Sequence, residues 1–165
     1  MIRRAVPADL RAIGRLGVLL VKAHHEFDPK RFIAPTARTE EAYGSFLVSQ
    51  LEEPSVVVLV AEEDGDVIGY TYAGLEGRDY MSLRGPAGVL YDILVDPPHR
   101  GRGIGRLLLE ATLETLERSG AKQIVLSTAE RNETAQRLFT RAGFRPTMIE
   151  MTRDQMSERS TKSGK

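Results

Sequence analysis

The residues with the clearest chemistry lie in one stretch, 89–109. At its centre Arg100-Gly101-Arg102-Gly103-Ile104-Gly105-Arg106 sets three glycines among three arginines, directly before an apolar-periodic run at 107–116. A glycine-rich turn entering a helix leaves backbone N–H groups unpaired at the positive end of the helix dipole, which suits an anion. Glycine also lets a ligand come close to the backbone. The alternative for such a turn is a surface loop with solvated arginines. Its surroundings favour the anion site. The apolar, β-branched run 89–95 reads as a buried strand, and Asp96-Pro97-Pro98 stops it by removing ladder donors. The loop and helix then follow in order. Within that strand stands Asp92, a carboxylate among apolar neighbours, where an acid needs a reason.

Two nucleotide motifs fail on this loop. A P-loop needs a lysine and a Ser or Thr after its glycines, and none follows here. A dinucleotide fingerprint needs a third glycine where Arg106 stands, and an acid about 20 positions on, which the strand-like segment 123–128 lacks. What remains is Arg-x-x-Gly-x-Gly, satisfied by Arg100, Gly103 and Gly105, followed by Asn132-x-x-Ala135-x-x-Leu138-Phe139 and Ala142-Gly143-Phe144. With the preceding strand and its Val95-Asp96-Pro97, this series from about Gly69 to Phe144 resembles the GNAT superfamily of N-acetyltransferases.

The resemblance implies an α/β fold with a mixed parallel and antiparallel sheet flanked by helices, and acetyl-coenzyme A as cosubstrate. It implies that residues 100–106, including Gly101, Arg102 and Ile104, hold the pyrophosphate, and that backbone of Ile93, Leu94 and Val95 bonds the pantetheine arm. One of those N–H groups would also hold the acetyl carbonyl, a contact whose removal elsewhere costs about 3–4 kcal/mol. Asn132 matches the family asparagine that bonds the same arm; it is equally a favoured helix N-cap, with Glu133 following. Two positions depart from the family. A tyrosine that often serves as general acid is Phe139 here, and a glutamate on the preceding strand is Ser127. Phe139 cannot donate a proton, but it can pack against the cofactor sulfur. A thiol with a pKa of about 8.5 is already a tolerable leaving group, so loss of the acid slows the reaction without abolishing it.

A neutral amine is the harder requirement. Deprotonating an alkylamine of pKa about 10.4 at pH 7 costs roughly 4–5 kcal/mol. Asp92, just before the acyl-binding backbone, is the first candidate to take that proton; a solvent-facing or arginine-paired carboxylate is its other role. Tyr91 is a candidate proton donor, or else a half-buried strand aromatic with its hydroxyl satisfied, as are Tyr70, Tyr72 and Tyr80. In the family the segment after the first helix borders the acceptor pocket. His24, His25, Glu26, Asp28 and Phe32 sit there, with the carboxylates placed to hold a cationic acceptor such as a polyamine. The histidines lack the i, i+4 spacing of a zinc helix, so no metal is expected.

Around these residues the chain reads as a short strand at 2–5, a helix at 7–23 and a helix at 39–52 whose inward positions include Ala42, Phe46 and Leu47. Strands at 56–62 and 67–73 join through Glu63-Asp64-Gly65-Asp66, a strong hairpin signal. After the loop and its helix come a strand at 123–128, a helix at 133–141 and last strand material at 144–152, interrupted by Pro146. One domain is expected over 1–156, with a disordered tail at 157–165 rich in Ser, Thr, Lys and Gly.

Composition narrows the classes further. Lys+Arg and Asp+Glu both number 23, so the zero net charge argues against general nucleic-acid binding. Cysteine is absent, which removes disulfides, thiolate metal sites and a cysteine nucleophile. No apolar run spans a bilayer and no signal-peptide core is present, so a cytoplasmic protein is the default. The expected activity is transfer of acetyl to a primary amine of a small molecule, a polyamine, an amino acid or similar. A coenzyme A-binding sensor that has lost catalysis is the rival, and acetylation of a protein N-terminus or lysine a third possibility. Dimers are common among the family, so a homodimer is open; no residue here specifies an interface.

Overall fold

The computed structural model describes residues 1–155. The tail expected at 157–165 lies outside the described residues. The elements in order are β1 (Ile2–Arg4), α1 (Leu10–Phe27), α2 (Thr39–Ser49), β2 (Val56–Glu63), β3 (Asp66–Glu76), β4 (Ala87–Val95), α3 (Ile104–Arg118), β5 (Ile124–Leu126) and α4 (Glu133–Arg141). They form one sheet in the order β1-β2-β3-β4-β5, antiparallel except for the parallel β4–β5 pair. The expected α/β mixed sheet with flanking helices is therefore present.

Strand alternation divides the core between the two faces of the sheet. Val57, Leu59 and Leu90 pack with Leu108, Leu109, Leu116 and Phe139 on the α3–α4 side. Val58, Val60, Tyr70 and Leu94 pack with Ile13, Leu16 and Leu47 on the α1–α2 side. The hairpin joining β2 to β3 turns at Asp64 and Gly65, both with positive φ (52° and 88°), as an Asp-Gly two-residue turn demands.

Four expectations change. Helix α1 continues to Phe27, so His24, His25 and Glu26 lie on its last turn rather than in a segment after it. In α2 the inward positions are Tyr43, Gly44 and Leu47, while Ala42 is exposed and Phe46 is 48% exposed. Strand β5 is only three residues long. Residues 144–155 contain no strand: Pro146 removes a ladder donor, and Arg31 pairs with Glu150, tying the segment to the end of α1.

The N-terminal strand is held by a buried carboxylate. Asp9, 7% exposed, accepts both Arg3 Nη groups at 2.8 and 2.9 Å and the Val6 N–H at 2.9 Å. Arg3 holds the Asp9 carboxyl below the usual carboxylate range. A lowered folded-state pKa adds stability above the unfolded value, near pH 4, which is lost as pH falls through the folded value. Asp9→Ala is expected to cost about 2–3 kcal/mol, less than a fully buried pair because Arg3 stays 28% exposed. A thermal melt at pH 7 should show a drop of roughly 5–10 °C, shrinking towards pH 3.

Candidate active site

The loop that starts α3 has the geometry of an anion site. Gly101 and Gly103 take positive φ (76° and 83°), and a Cβ at either would meet nothing within 4 Å. Gly103 is the N-cap and makes no side-chain cap; the helix's first backbone bond runs from Leu107 N–H to Gly103 C=O at 3.1 Å. The N–H groups of Ile104, Gly105 and Arg106 are thus left without intrahelical partners. The arginines divide their roles. Arg102 makes a bidentate pair with Glu63 at 2.8 and 2.5 Å, tying the loop to the β2–β3 turn. Arg100 Nε donates to Val95 C=O at 2.8 Å, and Arg106 pairs with Glu110 at 3.6 Å.

Beside the loop the sheet opens. Strands β4 and β5 pair only at Gly88↔Ile124, Val89↔Val125 and Leu90↔Leu126, so β4 from Tyr91 onward has no neighbour on that side. Asp96 N–H bonds Ile68 C=O at 2.8 Å on the β3 side. Antiparallel alternation then turns Leu94 and Asp92 towards β3 and directs the backbone groups of Ile93 and Val95 into the opening. The Arg100 bond to Val95 C=O agrees with that direction. Of the three residues expected to offer backbone groups here, Leu94 is committed to the ladder with Tyr70.

A β-bulge places the carboxylate. The register passes from Ala73↔Leu90 to Tyr72↔Asp92, leaving Tyr91 as an extra residue. Leu90 faces the α3–α4 core, yet Asp92 and Leu94 face α1 and α2. Asp92 meets a hydroxyl chain there. Tyr43 of α2 donates to Asp92 Oδ2, and Tyr43 and Tyr70 hydroxyls lie 2.6 Å apart. Each phenol has one proton, so with Asp92 ionised Tyr70 donates to Tyr43 and Tyr43 to the carboxylate. Burial raises the pKa of both phenols, keeping them neutral. Burial likewise raises the Asp92 pKa, only partly offset by the Tyr43 bond and by His24 nearby. Tyr43 is seated against Gly17 of α1, where a Cβ would collide with its ring.

The other expected site residues separate. His24 Nδ1 lies 2.9 Å from Leu20 C=O and must donate to it, leaving Nε2 bare in the neutral ring; Phe27 and Phe32 pack edge-on at 6.0 and 5.1 Å. Glu26 instead lies on the exposed face of α1, 3.9 Å from Lys22. Asp28 Oδ1 accepts the N–H groups of Lys30 and Arg31 at 3.0 and 3.3 Å, as a turn residue does. Tyr91 donates its hydroxyl to Glu76 at 2.6 Å, which removes it as a free proton donor. Asn132 caps α4, its Oδ1 accepting Ala135 N–H at 3.1 Å while its amide N–H groups stay available. Phe139 is only 6% exposed and packs on Phe144 at 6.0 Å, so it is a core residue. Among the described residues no three His, Cys, Asp or Glu side chains cluster to hold a metal.

Tyr43 was missed by sequence reasoning, although it lies four positions before the inward Leu47 and so on the same helical face. Removing its hydroxyl takes away a bond that favours the ionised carboxylate. In Tyr43→Phe the Asp92 pKa should rise, and the acidic limb of kcat/KM should move to higher pH. The plateau at alkaline pH should stay within a few-fold of wild type; an unmoved limb would mean that Asp92 does not set it.

A model of the acetyltransferase (GNAT) family matches residues 20–144. An uncharacterised N-acetyltransferase of Bacillus subtilis, YhfO, is 30% identical over 145 residues, covering 87% of this chain and 88% of that protein. The mycothiol acetyltransferase of Thermobispora bispora is 38% identical over 89 residues, 52% of this chain; the match spans only 28% of that longer protein. A mutant form of the BH1408 protein of Bacillus halodurans has a similar fold, with a TM-score of 0.81 at 22% identity over 94% of this chain and 99% of that one.

Proposed function

The chain belongs to the GNAT family of acetyltransferases, and we propose that it transfers acetyl from acetyl-coenzyme A to a primary amine of a small molecule. The observation that carries this is Asp92. It is a half-buried carboxylate of raised pKa, set beside the opening between β4 and β5 and directly before the outward-facing backbone of Ile93.

The cosubstrate fits the chain's own groups. Its pyrophosphate would take the unpaired N–H groups of Ile104, Gly105 and Arg106, approached over the bare Gly101 and Gly103. Its pantetheine arm would lie along the open edge of β4, bonded by Ile93, Val95 and the free amide of Asn132. Acetyl-coenzyme A supplies an activated thioester. Asp92 accepts a proton from the substrate ammonium, and its raised pKa brings it nearer to that of a useful base. The neutral nitrogen then forms a bond to the acetyl carbon as the carbon–sulfur bond breaks. An N–H from β4 holds the carbonyl oxygen as it gains negative charge. The second nitrogen proton ends on coenzyme A, which leaves as the thiol; the proton on Asp92 returns to water. Phe139 has no hydroxyl to assist departure, and no acyl-enzyme is required.

Release of free coenzyme A thiol from acetyl-coenzyme A, measured with and without amines, tests the reading. Amine-dependent release at rates well above hydrolysis is expected. Tight cofactor binding with no release for any amine would overturn catalysis in favour of a coenzyme A sensor.

A further inference from the structure

The acceptor side of Asp92 is set by which carboxylates remain free and by what surrounds them. A polyamine needs a second anionic partner some distance from the first. Glu26 is paired with Lys22 on the outer face of α1, and Asp28 is engaged by its own turn. Glu76 accepts from Tyr91 at 2.6 Å through Oε1 and from Arg84 at 2.5 Å through Oε2. Asp92 keeps one oxygen, Oδ1, without a hydrogen-bond partner among the described residues. Of these four carboxylates, Asp92 alone thus has neither a cation nor backbone N–H groups as partners among the described residues.

Aromatic rings stand next to it. Tyr72 is directly opposite Asp92 across β3 and β4. Phe46 of α2 meets Tyr72 edge-on at 5.9 Å, and Tyr72 lies against Tyr91 at 4.6 Å with 33° between the rings. Phe46 and Tyr91 are 48% and 38% exposed, so this row offers ring surface to solvent. Tyr91 is fixed by Glu76, which Arg84 holds in turn; the Arg84 side chain is 13% exposed, and its charge would oppose a second cation at that end. Ring edges and faces so arranged favour a planar aromatic partner through offset and edge-to-face contacts.

We infer that the acceptor is a primary monoamine bearing an aromatic ring, an arylalkylamine, lying on the Phe46–Tyr72–Tyr91 row with its nitrogen at Asp92. This rests on the amine-acetylation reading above and narrows it. A short alkyl spacer between ring and nitrogen lets one molecule reach both. Polyamines and polycationic sugars lack the ring and bring further charges, while Glu26, Asp28 and Glu76 already have partners.

The test compares 2-phenylethylamine, n-propylamine and spermidine as acceptors for the full chain with acetyl-coenzyme A, rates being corrected for the neutral-amine fraction. The expected kcat/KM for 2-phenylethylamine exceeds that of either other amine by at least about tenfold. Phe46→Ala should raise KM for 2-phenylethylamine about five- to tenfold, several-fold more than it raises that for n-propylamine. Tyr72→Leu, which keeps an apolar side chain, should act in the same direction. Spermidine equal to or better than 2-phenylethylamine, or equal losses for both monoamines in Phe46→Ala, would overturn the inference while leaving amine acetylation standing. No thiol release with any of the three would overturn the inference; amine acetylation itself would fall only if the wider amine series also released none.

Discussion

Gly103→Glu is expected to abolish acetyl-coenzyme A binding, with at least a hundredfold rise in Kd. Two effects act at this position. Gly103 holds φ at 83°, a left-handed conformation that costs an ordinary L-residue roughly 1–2 kcal/mol. The new carboxylate would also stand where the N–H groups of Ile104, Gly105 and Arg106 converge, replacing an anion-attracting site with a negative charge. Gly103→Ala separates the two, because it carries the backbone strain without the charge and nothing lies within 4 Å of its Cβ. That variant should lose about tenfold or less in affinity. Titration calorimetry on both, with a melt to confirm folding, gives the comparison. Equal and small effects would mean that the phosphates bind elsewhere.

The loop's form was legible because its features are local. Strand, proline stop, glycines and helix follow one another within about 20 residues, and each acts through backbone chemistry that neighbouring side chains do not alter. The Asp64-Gly65 hairpin and helix α4, found over Glu133–Arg141 as expected, belong to the same class. Helix α1 ran a turn longer than expected because nothing at Ala23 stops a helix; Asp28 and Pro29 do, with Asp28 already extended at φ −154°.

What the sequence concealed was relational. The bulge at Tyr91 exists only as a register shift between β3 and β4, and it decides which face Asp92 occupies. Simple alternation would put Asp92 on the same face as Leu90. Tyr43 went unread because a tyrosine on an amphipathic helix is ordinarily a boundary residue; its value comes from Asp92 and Tyr70, far off in sequence. Glu26 and Asp28 looked like acceptor ligands by proximity in the chain, yet local partners engage both. Gly17 carried a readable hint, since a glycine inside a helical pattern often marks close approach. Here what approaches is the ring that holds the carboxylate.

Asp92→Asn should lower kcat by about 10²–10⁴, the range of a positioned general base, while leaving the Kd for acetyl-coenzyme A within about twofold. The amide keeps the shape and still accepts the Tyr43 hydroxyl through its oxygen, so packing survives. It cannot take a proton from an ammonium, so attack must await the neutral amine present in solution. That dictates the pH signature. Wild-type kcat/KM should rise as Asp92 ionises, above the ordinary carboxylate range because burial raises its pKa. In the variant this limb should vanish, and activity should climb towards alkaline pH with the acceptor's own pKa. The deficit should therefore shrink as pH approaches about 10, where an alkylamine deprotonates unaided. A merely structural role would lower activity equally at every pH and change cofactor affinity as well. Should the variant show the wild-type profile at full rate, the proton acceptor must be another group, and His24 Nε2, left free by the Nδ1 contact to Leu20, would be next to test.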